Sequence, residues 1–406
     1  MTNTGHPLSL LMLAFATLVF VGMLAKAVLE RVRLPSLVAF MVLGFMLRVI
    51  HAGFDVEITG GEEILHFLSY LGVTCLLFRV GLDSDVVSLA KRLRTASVVW
   101  AGNVLLSGGG GYLVGYYWLD LGVTASLFLG VALTATSVGV SVAAWQHRGA
   151  LNTANGEVLL DVAELDDISG VVLMALLFAV APVLTGGEAA VMPTVLTTLG
   201  WVVLKLAGFG ALCVLYSRYA EERVTTFTRN LEHGPDPMLA MVTIALIIAA
   251  VAGLLGFSVA IGAFFAGLVF SRDPKAVRME ASFEPLYEFF TPFFFIHIGF
   301  LLTPDSLPGG LGVGLVLLLV AVLSKIVGTA VPAMVAVAPR AALLLGVSML
   351  PRAEIAMIVM QRGVTFNGGG VPDSVYSGMV LVSAATCLAT PLALRVLFRR
   401  WPETLR

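Results

Sequence analysis

Long apolar runs separated by short polar segments repeat along the whole chain. A bilayer crossing by an α-helix needs about 20 mostly apolar residues. On that measure the runs divide into about thirteen spans: residues 7–29, 35–51, 63–82, 95–118, 121–146, 155–182, 193–217, 237–255, 258–270, 283–302, 310–336, 340–365 and 374–397. The ninth is short for a crossing, and the eighth and ninth also read as one long helix kinked around Gly253 and Gly256. The pattern predicts an all-α polytopic membrane protein.

Composition agrees with the pattern. Hydrophobic residues make up 58% of the 406 positions and charged residues only 12%, with mean hydropathy +0.97. Soluble domains carry about 25% charged residues, and a chain of this size cannot hide so much apolar surface by folding alone. A cytosolic enzyme, a nucleic-acid binder and a disordered regulator are excluded on this ground. The net charge of -2 offers polyanions no bulk field. Cys75, Cys213 and Cys387 all lie inside apolar runs, and an odd number of such thiols reads as small hydrophobes in helix packing rather than a disulfide framework.

Charge in the loops predicts the orientation. One set of connections carries Arg31, Arg33, Lys91, Arg92, Arg94, Arg148, Arg218, Arg223, Arg229, Arg272, Lys275, Arg278, Arg340, Arg395, Arg399, Arg400 and Arg406. The alternate set, residues 51–62, 119–120, 183–192, 303–309 and 366–373, has no Lys or Arg but holds Asp55, Glu57, Glu62 and Glu188. The positive-inside rule makes the first set cytoplasmic, with the N-terminus outside and the C-terminus inside, as an odd number of spans requires. With no basic segment before the first span, a cleaved signal peptide is not expected. The longest connection, Ser217 to Pro237, is a basic linker, and no GxGxxG turn follows the last span, so no soluble nucleotide-binding regulatory domain is expected.

Polar residues inside the spans point to function, because a charge at mid-bilayer costs at least about 2.5–3.5 kcal/mol. The sixth span, GEVLLDVAELDDISGVVLMALLFAV, holds Asp161, Glu164, Asp166 and Asp167 without a basic residue. Asp166 and Asp167 fall about 17 Å along it, near the midplane, and point about 100° apart around the helix. Asp161, nearer the helix start, reads equally as an interfacial residue. Lys325 in LLLVAVLSKIVGTAVPAMV lies about 22 Å along the eleventh span. It either pairs with Asp166 or Asp167 or snorkels to the surface. In ALTATSVGVSVAAW, Thr134, Thr136, Ser137, Gly139 and Ser141 cluster in mid-span, either as a helix break that frees carbonyls for a cation or as small residues for close packing. SMLPRAEIAMIV interrupts the twelfth span at Pro351, with Arg352 and Glu354 beside it. Two interrupted helices in corresponding halves are the sequence sign of an inverted-repeat transporter. Gly108 to Gly111 read as packing residues rather than a phosphate loop. His66 and His297 are isolated along the chain and read as packing or interface residues.

ALTATSVGVSVAAWQHRGALNTANGEVLLDVAELDDISGVVL resembles the central block of the bacterial monovalent cation:proton antiporter-2 family, which takes in NapA-like sodium/proton and Kef-like potassium/proton proteins. CLLFRVGLDSD, VAIGAFFAGLVFSR, TPFFFIHIGFLL, LSKIVGTAVPA and SMLPRAEIAMI resemble its other blocks, in order. The resemblance implies the sodium/proton antiporter fold: thirteen helices, inverted repeats with two broken helices crossing in mid-membrane, a homodimer, and an elevator-like core. It implies scaffold and dimerisation helices over 1–94 and 237–303, core ion-transport helices over 95–182 and 304–397, a linker helix and loop over 183–236, and a cytoplasmic tail over 398–406. It implies that Asp167 binds the ion (Na⁺ as cargo), that Asp166 pairs with Lys325, and that Thr134, Thr136 and Ser137 stand at the broken helix. Asp161 and Glu164 occupy positions that are small or apolar in the family, so they, with Arg352 and Glu354, are candidates for tuning the site; Arg352 is also a possible partner for Glu164.

The expected activity is exchange of Na⁺, or Li⁺ or K⁺, for H⁺ across the cell's inner membrane, with no cofactor and no enzymatic chemistry. The rival readings are a Kef-like K⁺ efflux system, a cation channel, and an organic-anion symporter on a similar fold.

Overall fold

The computed structural model describes residues 7–31, 35–54, 61–83, 86–146, 148–151, 153–185, 191–219, 223, 238–257, 259–271, 276–366 and 370–405. Several residues of the orientation argument lie outside this set: Arg33, Asp55, Glu57, Glu188, Arg229, Arg272, Lys275 and Arg406. Among the described residues there is no strand. The helices are α1 (Pro7–Arg31), α2 (Ser36–Phe54), α3 (Gly61–Asp83), α4 (Val86–Leu113), α5 (Val123–Thr134), α6 (Val138–Gln146), α7 (Ala154–Thr185), α8 (Val191–Tyr219), α9 (Met238–Leu254), α10 (Val259–Phe270), α11 (Ala276–Phe300), α12 (Leu307–Ala333), α13 (Pro339–Ser348), α14 (Glu354–Val364) and α15 (Asp373–Arg400). Among the described residues six stretches are long and apolar enough to cross a bilayer: 11–29, 61–82, 154–185, 193–219, 304–333 and 373–400. The fifth and twelfth expected spans are each split into two short helices, and the second, eighth and ninth hold apolar helical stretches shorter than 18 residues.

Local chemistry explains most boundaries. Gly256 has φ +89, a left-handed conformation that suits glycine. Its amide and that of Phe257 turn back onto Gly253 and Ala252 carbonyls, so the eighth and ninth spans are two helices, not one kinked helix. α4 widens into a π-helical turn over Val114–Trp118, which ends before Asp120 at φ 52. α11 starts at Ala276, earlier than the apolar run at 283, and carries ion-paired glutamates. Lys26 reaches Glu288 at 2.8 Å and Arg79 reaches Glu284 at 2.6 Å, with the Arg79 guanidinium 4.3 Å over the Tyr287 ring.

The helices pack in two groups. α3 lies along α10 and α11, α11 along α2, α9 against α10, and α1 against α2. In the other group α4 packs on α12, α5 and α7, α12 on α13 and α15, α14 on α5, and α15 on α6. α8 joins the groups through α7 and α10, and α14 touches α3 across the boundary.

Without water to drive association, membrane helices gain contact through small residues that let backbones approach. α4 and α12 cross in this way. A Cβ at Gly102 would stand 2.6 Å from the Gly328 carbonyl oxygen, and one at Gly328 would stand 2.7 Å from that of Gly102. The Gly108–Gly111 run serves the neighbouring contact with α5, where a Cβ at Gly111 would meet the Gly130 Cα at 3.0 Å.

Backbone cannot give way as a flexible side chain can, so overpacking costs about 1–3 kcal/mol. Gly102→Val is expected to lower the thermal stability of the purified protein, read by size-exclusion recovery after heating. Gly109→Ala, where a Cβ would meet nothing within 4 Å, should leave it unchanged.

Candidate functional site

The site forms where both helix breaks meet. α5 stops at Thr134, and residues 135–137 run outside any helix before α6. The Thr134 hydroxyl is turned back onto the Val131 carbonyl at 2.7 Å. α13 stops at Ser348, because Pro351 cannot donate to a helix and disfavours helical geometry in Leu350 before it. Residues 350–353 are non-helical until α14 starts at Glu354. The breaks are joined directly by the Ser137 amide donating to the Pro351 carbonyl at 2.7 Å.

Two fully buried cations hold the freed carbonyls. Lys325, from α12, donates through Nζ to the Thr134 carbonyl at 2.5 Å and to Thr136 Oγ1 at 2.7 Å. The same ammonium lies 3.5 Å from Asp166 Oδ2. Arg352 donates to the Leu350 carbonyl at 2.9 Å, Ala321 at 3.1 Å and Leu133 at 3.3 Å. One guanidinium thus serves the C-terminal ends of both α5 and α13, where a helix leaves carbonyls unpaired and its dipole is negative. Its own backbone is fixed by Thr386, which accepts from the Arg352 amide at 3.3 Å, and by Ser383, which donates to the Arg352 carbonyl at 2.6 Å.

Three carboxylates accompany these two cations. Asp166 is 1% exposed, and its Oδ1 accepts from Asn103 Nδ2 at 2.8 Å. Asp167, the next residue, is only partly buried and interacts electrostatically with Lys325. Glu354, partly buried at the first turn of α14, lies beside the Ser137 side chain. The ends of α6 and α13 are tied by Ser141 to the Ser348 carbonyl at 2.5 Å and by Trp145 Nε1 to Ser348 Oγ at 2.9 Å.

The structure brings Asp166, Asp167, Lys325, Thr134, Thr136 and Ser137 to one place, with Glu354 beside Ser137. For the fifth span it decides between the open readings, since the helix is broken and its carbonyls are used. Lys325 does not snorkel; it is fully buried. Arg352 serves helix ends, a role that its pairing with Glu164 did not anticipate. Asp161 and Glu164 are partly buried on α7, toward its start. Asn103 escaped the sequence reading. It is a completely buried amide inside an apolar run, and the criterion that singled out Lys325, a polar group at membrane depth, would have found it.

His66 and His297, isolated along the chain, are neighbours in space with ring centroids 5.3 Å apart, and His297 Nδ1 lies 3.1 Å from Gln361 Nε2. Among the described residues no three His, Cys, Asp or Glu side chains gather as a metal-ligand set. The oxygens at the breaks, hydroxyl, carbonyl and carboxylate, are hard donors suited to a cation such as Na⁺.

A polytopic helical protein with two interrupted helices meeting at buried charges belongs to the class of secondary ion transporters. Residues 15–400 match the family described as "Sodium/hydrogen exchanger, transmembrane", and the chain belongs to that family of cation:proton antiporters. It is 30% identical over 341 residues to the Na⁺/H⁺-K⁺ antiporter GerN of Bacillus cereus, covering 83% of this chain and 84% of that one. It is 31% identical over 251 residues to the glutathione-regulated potassium-efflux protein KefC of Escherichia coli, covering 60% of this chain and 38% of that one. Its fold is similar to the sodium proton antiporter MjNhaP1 of Methanocaldococcus jannaschii, with TM-score 0.69 over 98% of both chains at 13% identity.

A buried carbonyl left without a donor costs about 1–3 kcal/mol, and Arg352 serves two at the breaks, those of Leu133 and Leu350. Arg352→Met is therefore expected to reduce the yield and melting temperature of folded protein much more than Asp167→Asn does. Fluorescence-detected size exclusion with a thermal ramp measures both.

Proposed function

We propose that this chain exchanges Na⁺ for H⁺, with Asp167 as the carboxylate that takes either ion. The observation that carries the reading is the division of labour at the breaks. Lys325 donates to Thr136 and the Thr134 carbonyl and lies against Asp166, while Asp167, the next residue, stands on a less buried face of the same helix. A carboxylate holds a metal ion or a proton, not both, and exchange follows from that competition.

The coupling has a further step. If Na⁺ at Asp167 weakens the Asp166–Lys325 contact, Lys325 releases its own proton, and more than one proton moves per Na⁺. Exchange is then electrogenic. The division of the helices supports an elevator motion: the group holding α4–α7 and α12–α15, which spans most of residues 95–182 and 304–397 and runs a few residues past those bounds, moves as a core against α1–α3 and α9–α11, within 1–94 and 237–303. α8 and the rest of 183–236 form the linker, and 398–406 the tail. We place the protein in the inner membrane as a homodimer of thirteen-span, inverted-repeat subunits, N-terminus outside and C-terminus cytoplasmic, working without a cofactor. The relatives' names include both Na⁺ and K⁺, so a Kef-like K⁺ exchange is the second reading.

In liposomes with an imposed proton gradient, dequenching of a pH dye on adding Na⁺, but not choline, is expected; parallel additions of Li⁺ and K⁺ rank the ions. Asp167→Asn should abolish the signal while leaving a folded protein, and full-rate Na⁺ transport by that variant would remove Asp167 from the site. A membrane potential set with valinomycin and K⁺ should change the Na⁺-driven flux. An unchanged flux would make the exchange electroneutral and leave Lys325 a structural role.

A further inference from the structure

Asn103 touches the Asp166–Lys325 pair, yet the exchange scheme gives it no part. It has no exposed surface. The Gly102–Gly328 crossing presses α4 against α12 beside it, so that a Cβ at Gly328 would stand 3.1 Å from the Asn103 Cα. The Asn103 amide nitrogen donates to Asp166 Oδ1 at 2.8 Å, and its amide oxygen accepts from the Ser107 hydroxyl at 3.5 Å. The two contacts agree on the amide's orientation: a carboxylate needs the donor end, and a hydroxyl can give its proton to the other. Asp166 Oδ2 lies 3.5 Å from Lys325 Nζ and has no hydrogen bond among the described residues. Asp166 is therefore held on one oxygen by a fixed neutral donor and on the other by a cation that can lose its proton.

We infer that Asn103 is a positioning residue that holds Asp166 facing Lys325, and so sets the pH at which that pair opens. The inference rests on the exchange scheme proposed above. An NH₂ group only donates, so it fixes one carboxylate oxygen and turns the other toward Lys325. When Lys325 withdraws from Oδ2, the Asn103 bond keeps Asp166 from becoming a buried charge with no partner. Other charges act on the same place: Lys325 from α12, Arg352 from the α13–α14 segment, and Asp167 from α7 itself. Glu354, at the head of α14, lies beside Ser137, and Asp161 and Glu164 share α7 with Asp166. The polar groups that α4 and the α5–α6 break bring here, Asn103, Ser107, Thr134 and Thr136, are neutral.

The test uses the whole protein in liposomes, with Na⁺-driven proton flux followed across pH for the wild type, Asn103→Leu, Asn103→Ser and Asp167→Asn. Asn103→Leu keeps the volume and removes the donor. Its pH midpoint should rise by about one unit, while the Na⁺ concentration for half-maximal flux at high pH stays within about two-fold. Asn103→Ser, which keeps a short donor, should shift the midpoint less. An Asn103→Leu profile that overlies the wild type overturns the inference. If that variant does not fold, Asn103→Ala takes its place under the same criterion. Asp167→Asn separates the two proposals. Transport by it refutes the exchange scheme, whereas an inactive Asp167→Asn beside an unshifted Asn103 variant refutes only the role of Asn103.

Discussion

Breaking a helix inside a membrane exposes carbonyls where no water can satisfy them, and the rest of this structure follows from how that demand is met. Each unsatisfied group would cost several kcal/mol in hydrocarbon. Here the carbonyls of Leu133, Thr134 and Leu350 are met by Arg352 and Lys325. Those cations would themselves be prohibitive at this depth without anionic partners. The breaks, the cations and the acidic pair on α7 therefore require one another. The candidate site is the place where these requirements meet.

Placing this structure beside the sequence shows which signals carry. The Asp166–Asp167 pair, Lys325 and the Pro351 interruption were legible because each violates the apolar pattern at a computable depth. Helix ends marked by strong local chemistry, such as Pro351, were found to within a few residues. The start of α11 was not, because its charges are offset by Lys26 and Arg79, residues far away in the chain. Arg352's carbonyl partners were hidden for the same reason: side-chain chemistry suggests a carboxylate, and only the fold supplies three helix carbonyls. His66 and His297 became neighbours through the packing of α3 on α11, a relation that spacing along the chain does not contain. Asn103 was hidden differently. An uncharged amide makes a weaker exception to an apolar run than a lysine does, although it is as completely buried.

Both helix groups cohere through close backbone contact at glycines. In the group around α3 and α11, backbones touch through glycines: a Cβ at Gly81 would overlap the Phe264 carbonyl, and one at Gly44 that of Ile296. Between the groups, His297 meets Gln361, and Tyr376 donates to the Ile298 carbonyl at 3.1 Å. Close backbone contact within a group and side-chain contact between groups is the arrangement that rigid bodies sliding past each other would need, because packed interiors resist continuous deformation.

The Arg352 clasp also constrains the order of biosynthesis. Leu133 and Arg352 are 219 residues apart, and Thr134 and Lys325 are 191 apart. At translation rates of about 5–20 residues per second, the first broken helix is made tens of seconds before the side chains that satisfy its open end. During that interval its carbonyls must be served by lipid headgroups, water or the insertion machinery. The first half of the chain is in that sense unfinished in the membrane, and the last third completes it.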